Sequence, residues 1–317
     1  MKKLLDEKNW MEALLATASS KKYKVMYSSV VDGFVKNPNL MMVPVDDHLV
    51  HRGDGVFEAI RLIQGRIYLL DEHLARLERS ARSIGMTIPM SLEDLKSILL
   101  QACRLSDLSD GMIRLFVSRG PGDFSTNPYS TKGAQVYLIV TEFASMDERK
   151  YQEGVSVIKS QVAPKVPFFA TMKTCNYLPN VLMKKEAIDL NCDFSIGVTA
   201  EGFVLESSTE NIGLVDEEGH LVHPPYSEIL QGCTMTRSFE LAKLHLGPML
   251  KGIDVRPIQF DELFSAREVM MFGTTLDVLP VCFVEEEAVG SGEVGPLAKK
   301  LRELLLQDQS ENGLRVS

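Results

Sequence analysis

No two of the five cysteines form a CxxC pair, and their odd total gives a disulfide framework no support. Cys103, Cys175, Cys192, Cys233 and Cys282 are scattered, as buried thiols in a reducing compartment would be. Positive charge is short as well. Lys and Arg total 34 against 43 Asp and Glu, a net charge of −9 with a pI near 5.3. That balance argues against a nucleic-acid partner, although it permits a local basic pocket for a small anion. The six histidines lack metal-ligand spacing, since His220 and His223 read as flanking a turn, and no metal is expected. No apolar run approaches the roughly 18 residues of a membrane span. The N-terminal MKKLLDEKNWMEALLATASS is broken by Asp6, Glu7 and Lys8, which excludes a signal peptide and makes the cytoplasm the expected location. No GxGxxG is read as following a strand and opening a helix, so a nucleotide-binding oxidoreductase is not supported. Repeats and low-complexity tracts are absent too.

What is present suits a globular chain. Its 317 residues are 45% hydrophobic and 24% charged, enough for two domains with substantial cores. Leu4, Leu5, Trp10, Met11, Leu14 and Leu15 have helical spacing and predict a helical extension over 1–22. YKVMYSSVVDGFV and the segment around GRIYLL read as strands, followed by a helix from about Asp71 to Ile84. Its stripe is Leu74, Leu77 and Ala81, with Arg76 and Arg79 off centre. SLEDLKSILLQACRLSDL is a second helix with a serine at its start. GMIRLFVSRG and AQVYLIVTEF are strands joined by a Gly/Pro/Ser-rich loop. A charged segment between Ser145 and Gly154 marks the boundary, giving a small domain over 23–148 and a larger one over 149–317. Strands and helices alternate in the second half, and the class is α+β.

PFFATMKTCNYLPN sets a lysine among apolar neighbours. Burying an unpaired ammonium is costly, so Lys173 needs a reason to be there. An isolated lysine of this kind is usually only a surface residue with apolar neighbours in sequence. Three other features join it if the ligand is pyridoxal 5′-phosphate (PLP), which needs an amine for its aldehyde, an acid for its ring nitrogen and a cradle for its phosphate. A depressed pKa in an apolar setting would free the Lys173 lone pair to hold the aldehyde as a Schiff base. Glu206 in GFVLESSTENIGLV is the acid, with Glu210 its competitor. In QGCTMTR, Gly232 ends a loop and Thr234 starts a helix whose free N–H groups suit an anion. The turn Gly273–Thr274–Thr275 closes the other side, and Arg76 offers a bidentate grip on phosphate.

These motifs, in this order, resemble the class IV (fold-type IV) aminotransferases, which include D-amino-acid transaminases, branched-chain transaminases and aminodeoxychorismate lyases. The likeness runs from about Tyr23 to Leu305 through RGDGVFEAIRLIQGRIYLLDEHLARLERSA, KTCNYLPNVLMKKEA, GFVLESSTENIGLV, ILQGCTMTR and EVMMFGTTLDVLPV. The resemblance implies a two-domain PLP enzyme that moves an amino group between an amino acid and a 2-oxo acid. Lys173 would be its Schiff-base lysine and proton shuttle, and Glu206 the partner of the pyridine nitrogen. Arg76, Cys233, Thr234, Gly273 and Thr274 would hold phosphate, with Tyr177 near the cofactor's phenolic oxygen or packed in the core. A homodimer is implied by resemblance alone.

Substrate recognition departs from the pattern. Phe57 replaces the tyrosine of bacillus-type D-amino-acid transaminases, and Arg52 stands where branched-chain enzymes have a tyrosine. SRGPGDFSTNP keeps Arg119–Gly120 but lacks an Arg-x-His carboxylate trap, and PGDF is similar to plant-type D-amino-acid transaminases. Arg52, Arg61 and Arg119 are the candidates for the substrate carboxylate. D-amino acids are the favoured substrates, with a branched-chain L-transaminase or an aminodeoxychorismate lyase as alternatives.

Overall fold

In GVFEAIRLI every second residue from Val56 is apolar except one, a period that suits a strand with one face in a core. The computed structural model, which describes residues 3–18 and 20–316, forms that strand over Gly55–Ile63. It lies in a seven-stranded sheet whose pairings are all antiparallel and which also holds Tyr23–Ser28, Gly33–Val35, Arg66–Ile67, Gly111–Ser118, Gln135–Thr141 and Leu314–Arg315. Helices Leu70–Ser83 and Leu92–Ser106 pack Leu74, Leu77, Leu95 and Leu99 into one core with Val56, Ile60 and Leu62. The Ser91 hydroxyl accepts the Asp94 N–H at 3.1 Å and caps the second helix, as its position predicts.

The exception in the alternation is Glu58, fully buried on the core side. Arg76 donates to it from Nε at 2.8 Å and from Nη2 at 2.6 Å, and His73 Nδ1 lies 2.7 Å from the same carboxylate. Arg76 is therefore buried although the sequence sets it off the apolar stripe: Glu58 gives it a counter-charge inside. Burial alone would raise the Glu58 pKa. The charge and hydrogen bonds of Arg76, then those of His73, outweigh it and bring the value down to about 2. Because the folded value lies below the ordinary one, this stabilisation is present above about pH 4.5 and is lost as pH falls toward 2. Glu58→Gln strands a buried guanidinium, and we expect it to cost about 3–5 kcal/mol at neutral pH. An unchanged urea midpoint would show that the pair contributes nothing.

The second unit is Ala144–Asn312, whereas the first runs through Phe143 and resumes at Gly313. The division thus falls before the expected 148/149 limit, and the C-terminal strand leaves the domain expected over 149–317. Each shift has a local cause. The charged boundary segment folds as helix Glu148–Glu153, whose Tyr151 is buried and donates its hydroxyl to the Leu276 carbonyl at 3.0 Å. Leu314 and Arg315 pair with Ile67 and Arg66. The extension expected over 1–22 forms helix Glu7–Leu15, which buries no side chain, and Met1, Lys2 and Ser19 lie outside the described residues. The Asn39 amide donates to the carbonyls of Leu14, Leu15 and Thr17 at its C-terminal end.

Six strands of the second unit form a closed ring: Val155–Lys159, Phe194–Val198, Val204–Ser207, Asn211–Val215, Glu268–Gly273 and Asp277–Val284. The ring closes through the pair Asn211–Glu206. His220–His223 extends the sheet as a strand, so these histidines lie along one strand and do not flank a turn. Among the described residues no cluster of His, Cys, Asp or Glu could hold a metal ion. No described helix is long and apolar enough to cross a membrane, and none of the five cysteines forms a disulfide.

One glycine pattern corrects the sequence reading. Gly290-Ser-Gly292-Glu-Val-Gly295 matches GxGxxG and opens helix Pro296–Glu311. The strand before it, Glu287–Ala288, is a two-residue edge paired antiparallel with Phe283–Val284, not the parallel strand of a dinucleotide-binding unit. The helix N-terminus is already filled by an anion, because Glu268 accepts the N–H groups of Leu297 at 2.9 Å and Ala298 at 2.8 Å. Gly295 has no Cβ because that atom would strike the Glu268 side chain.

Candidate active site

Lys173 sits between the helical turn Pro167–Ala170 and helix Leu178–Asp189, only 9% exposed. Its aromatic sequence neighbours do not bury it. Phe168 and Phe169 lie on the outside of their turn, 62% and 43% exposed, while Ala170 and Met172 turn inward. Lys173 is therefore buried as PFFATMK suggests, but not beneath its two phenylalanines. Tyr177 precedes the second helix, and its ring centre is 5.9 Å from Lys173 Nζ. A second cation, Lys165 Nζ, lies 4.8 Å from the same ring. Nothing in the residues around Lys165 distinguishes it in sequence.

Glu206 stands at the seam of the ring. Its carboxylate accepts the Leu230 N–H at 3.2 Å and the Asn211 amide at 3.5 Å. Burial raises its pKa to about 7 against the Leu230 hydrogen bond and the charges of Lys165 and Lys173, with Glu210 adding to the rise. A carboxylate left this uncomfortable is suited to meet a cation. Glu210, the competing acid, is committed elsewhere: it accepts the Thr209 N–H at 3.0 Å and the Thr209 hydroxyl within its own turn.

Two chain turns gather beside this seam. The Asn211 amide donates to the Leu230 carbonyl at 2.9 Å, drawing in the loop before helix Cys233–His245. Gly232 allows this approach, since a Cβ there would collide with Asn211 Oδ1. That helix has no side-chain N-cap, in contrast to the Glu268-filled helix, and buried Thr234 stands in its first turn, where backbone donors lack helical acceptors. Asn211 also pairs with Phe272, which brings Gly273 and Thr274 to the same end of the ring. The second unit thus gathers Lys173, Tyr177, Glu206, Cys233, Thr234, Gly273 and Thr274. Asn211, which sequence reasoning missed, ties the seam to both turns. Its only signal was its place in the STEN stretch after Glu206.

The candidate arginines belong to the first unit. Arg119 is bidentate on Asp54, with both bonds at 3.0 Å, and also donates to the carbonyls of Ile84 at 2.8 Å and Gly85 at 3.0 Å. Arg61 lies over the Phe143 ring at 3.8 Å. Arg52 is exposed and donates to the carbonyls of His51 and Phe124, neither of which offsets its charge.

Known proteins carry the same pattern. The family described as amino-transferase class IV matches residues 55–284. The chain belongs to the class IV aminotransferases. It is 38% identical over 301 residues to a chloroplastic D-amino-acid transaminase of Arabidopsis thaliana, covering 94% of this chain and 79% of that one. It is 32% identical over 279 residues to a putative branched-chain-amino-acid aminotransferase of Methanocaldococcus jannaschii, covering 86% and 93%. A solved branched-chain amino acid aminotransferase of T.th. with pyridoxamine 5′-phosphate superposes with a TM-score of 0.85 at 28% identity, covering 92% and 95%. The fold is that of fold-type IV, and this aminotransferase uses PLP to exchange an amino group between an amino acid and a 2-oxo acid.

The residues present fit that cofactor: a buried amine, a desolvated carboxylate and an uncapped helix start meet at one end of the ring. A pH test follows for the protein stripped of cofactor. The folded Glu206 pKa, about 7, exceeds its ordinary 4.5, so the folded state binds more protons between those values. Stability due to this group is full below 4.5 and is lost as pH rises through about 7. Glu206→Gln should flatten that part of the melting-temperature profile. Parallel profiles for the two proteins would contradict the assignment.

Proposed function

We propose that this aminotransferase acts on D-amino acids and that Lys173 is the amine that carries the cofactor and moves the substrate α-proton. The meeting of Lys173 and Glu206 at the closing seam supports these roles. Bound PLP supplies an electron sink for the substrate's α-carbon. Lys173 Nζ would hold the cofactor's aldehyde and, once freed by the substrate amine, would carry the substrate α-proton. Glu206 would hold a proton on the pyridine nitrogen. The start of the Cys233 helix with Thr234, and the Gly273–Thr274 turn, would hold the phosphate. Tyr177 walls the lysine. Arg76 joins the phosphate group, and a homodimer is proposed, on the family resemblance alone.

The D preference draws on the Arabidopsis relative and on PGDF, which is similar to plant-type enzymes. Arg119 is not carried into the substrate site, since Asp54 and the carbonyls of Ile84 and Gly85 already engage its Nε, Nη1 and Nη2. Arg52 is, because its partners are neutral carbonyls. Mixing the holo-protein with single amino acids and following the cofactor's visible absorbance tests this reading. D-alanine should convert the cofactor to its aminated form faster than L-alanine, and Arg52→Ala should raise the D-alanine concentration required. The M. jannaschii relative and the T.th. structure support a second reading. If L-leucine, L-isoleucine and L-valine react first, the enzyme is a branched-chain transaminase. If only aminodeoxychorismate reacts, releasing pyruvate, it is a lyase.

A further inference from the structure

Lys165 enters the Lys173 neighbourhood from another direction, and the reaction above does not use it. Its Nζ approaches the Tyr177 ring more closely than Lys173 does, and it has no hydrogen bond or ion pair among the described residues. With Glu206, Asn180, Ser207 and Glu228 it lines a small cavity of about 30 Å³, whose remaining wall is mostly apolar. That volume holds one water. Two of the lining residues keep a buried oxygen with no hydrogen-bond partner, Asn180 Oδ1 and Ser207 Oγ. Buried polar atoms of this kind ordinarily meet ordered water.

We propose that Lys165 is the standing counter-charge of Glu206, joined to it through one water held in this cavity by Asn180 and Ser207. The water accepts a hydrogen bond from the Lys165 ammonium and donates one to the Glu206 carboxylate, and no proton changes hands. This rests on the reading of Glu206 as the partner of the ring nitrogen. The charges around Glu206 show why a second lysine is needed. Lys165, Lys173 and Glu210 act on it directly, Glu228 shares its cavity, and the Leu230 N–H and Asn211 amide supply hydrogen bonds. Lys173 is the reacting amine, so its charge changes during turnover. Lys165 has no such duty and can hold the carboxylate ionised throughout. Burial pushes the Lys165 pKa down while Glu206 pulls it back up, as coupling between the two requires. Lys165 is thus a positioning residue, acting on the cofactor only through Glu206.

The test uses full-length protein with PLP and after its removal. In the stripped protein, Lys165→Met should move the Glu206-dependent step in the melting-temperature profile upward by on the order of one pH unit, a tenfold weaker acid. Lys165→Arg should restore the step, and Lys165→Gln should shift it as methionine does, which covers a methionine variant that folds poorly. On the Glu206→Gln background the lysine substitutions should move nothing. In the loaded enzyme, the acid limb of kcat should shift the same way while borohydride still fixes cofactor on Lys173. An unmoved step, or an equal shift on the Glu206→Gln background, overturns the role of Lys165 and leaves Lys173 and Glu206 as assigned. Cofactor fixed on Lys165 overturns both this inference and the assignment of Lys173.

Discussion

Replacing Lys173 with alanine should abolish turnover and leave borohydride no amine at which to fix the cofactor. The loss in kcat should be at least about a thousandfold, because alanine removes a covalent anchor and a proton carrier together. Folding should survive. A buried ammonium placed for chemistry costs stability, so trimming it should leave the urea midpoint level or raise it. The variant should still take up PLP noncovalently through the phosphate turns, with altered visible absorbance. The other amines near this segment are the controls. Lys184 donates to the Asp193 carbonyl at 2.9 Å and lies 4.8 Å from the Phe194 ring centre, and Lys165 faces Tyr177. Cofactor mass on a peptide carrying either of them, with Lys173 unmodified, would refute the assignment.

Glu206→Gln should slow α-proton removal by roughly 10²–10³-fold while the protein still binds PLP. An amide cannot balance a protonated pyridine, so the ring loses much of its pull on the substrate's electrons. Affinity should fall far less, because the helix start at Cys233 and the Gly273 turn are untouched. The geometry separates this residue from its neighbour, since the Glu210 carboxylate is bound into the Thr209 turn. A rate loss in Glu210→Gln with normal Glu206→Gln would reverse the two roles.

Much of the architecture was legible because it depends on local periodicity. The strand runs of GMIRLFVSRG and AQVYLIVTEF, the stripe of Leu74, Leu77 and Ala81, and the serine before Leu92 each act within a few residues, and each appears where the pattern puts it. The end of QGC was also readable as a helix start, with the structure placing its first residue at Cys233. Lys173 was visible by its incongruity, although the phenylalanines that suggested its burial lie outside. The partners of the arginines were not legible, for a physical reason. A charged side chain is assigned by its partner, and the partners of Arg76 and Arg119 are Glu58 and Asp54, each far away in sequence and adjacent only across strand and helix.

The sequence alone determined most of the order of elements and singled out Lys173 and the turns at Cys233 and Gly273 as candidates, since each is written in contiguous residues. Tertiary structure alone decided which acid faces the lysines, which arginines are already neutralised, and that Lys165 shares a cavity with Glu206. It also sent the C-terminal strand back to the first unit and closed the ring at Asn211 and Glu206. These outcomes turn on desolvation and on distances between residues remote along the chain, and no short window of sequence encodes either.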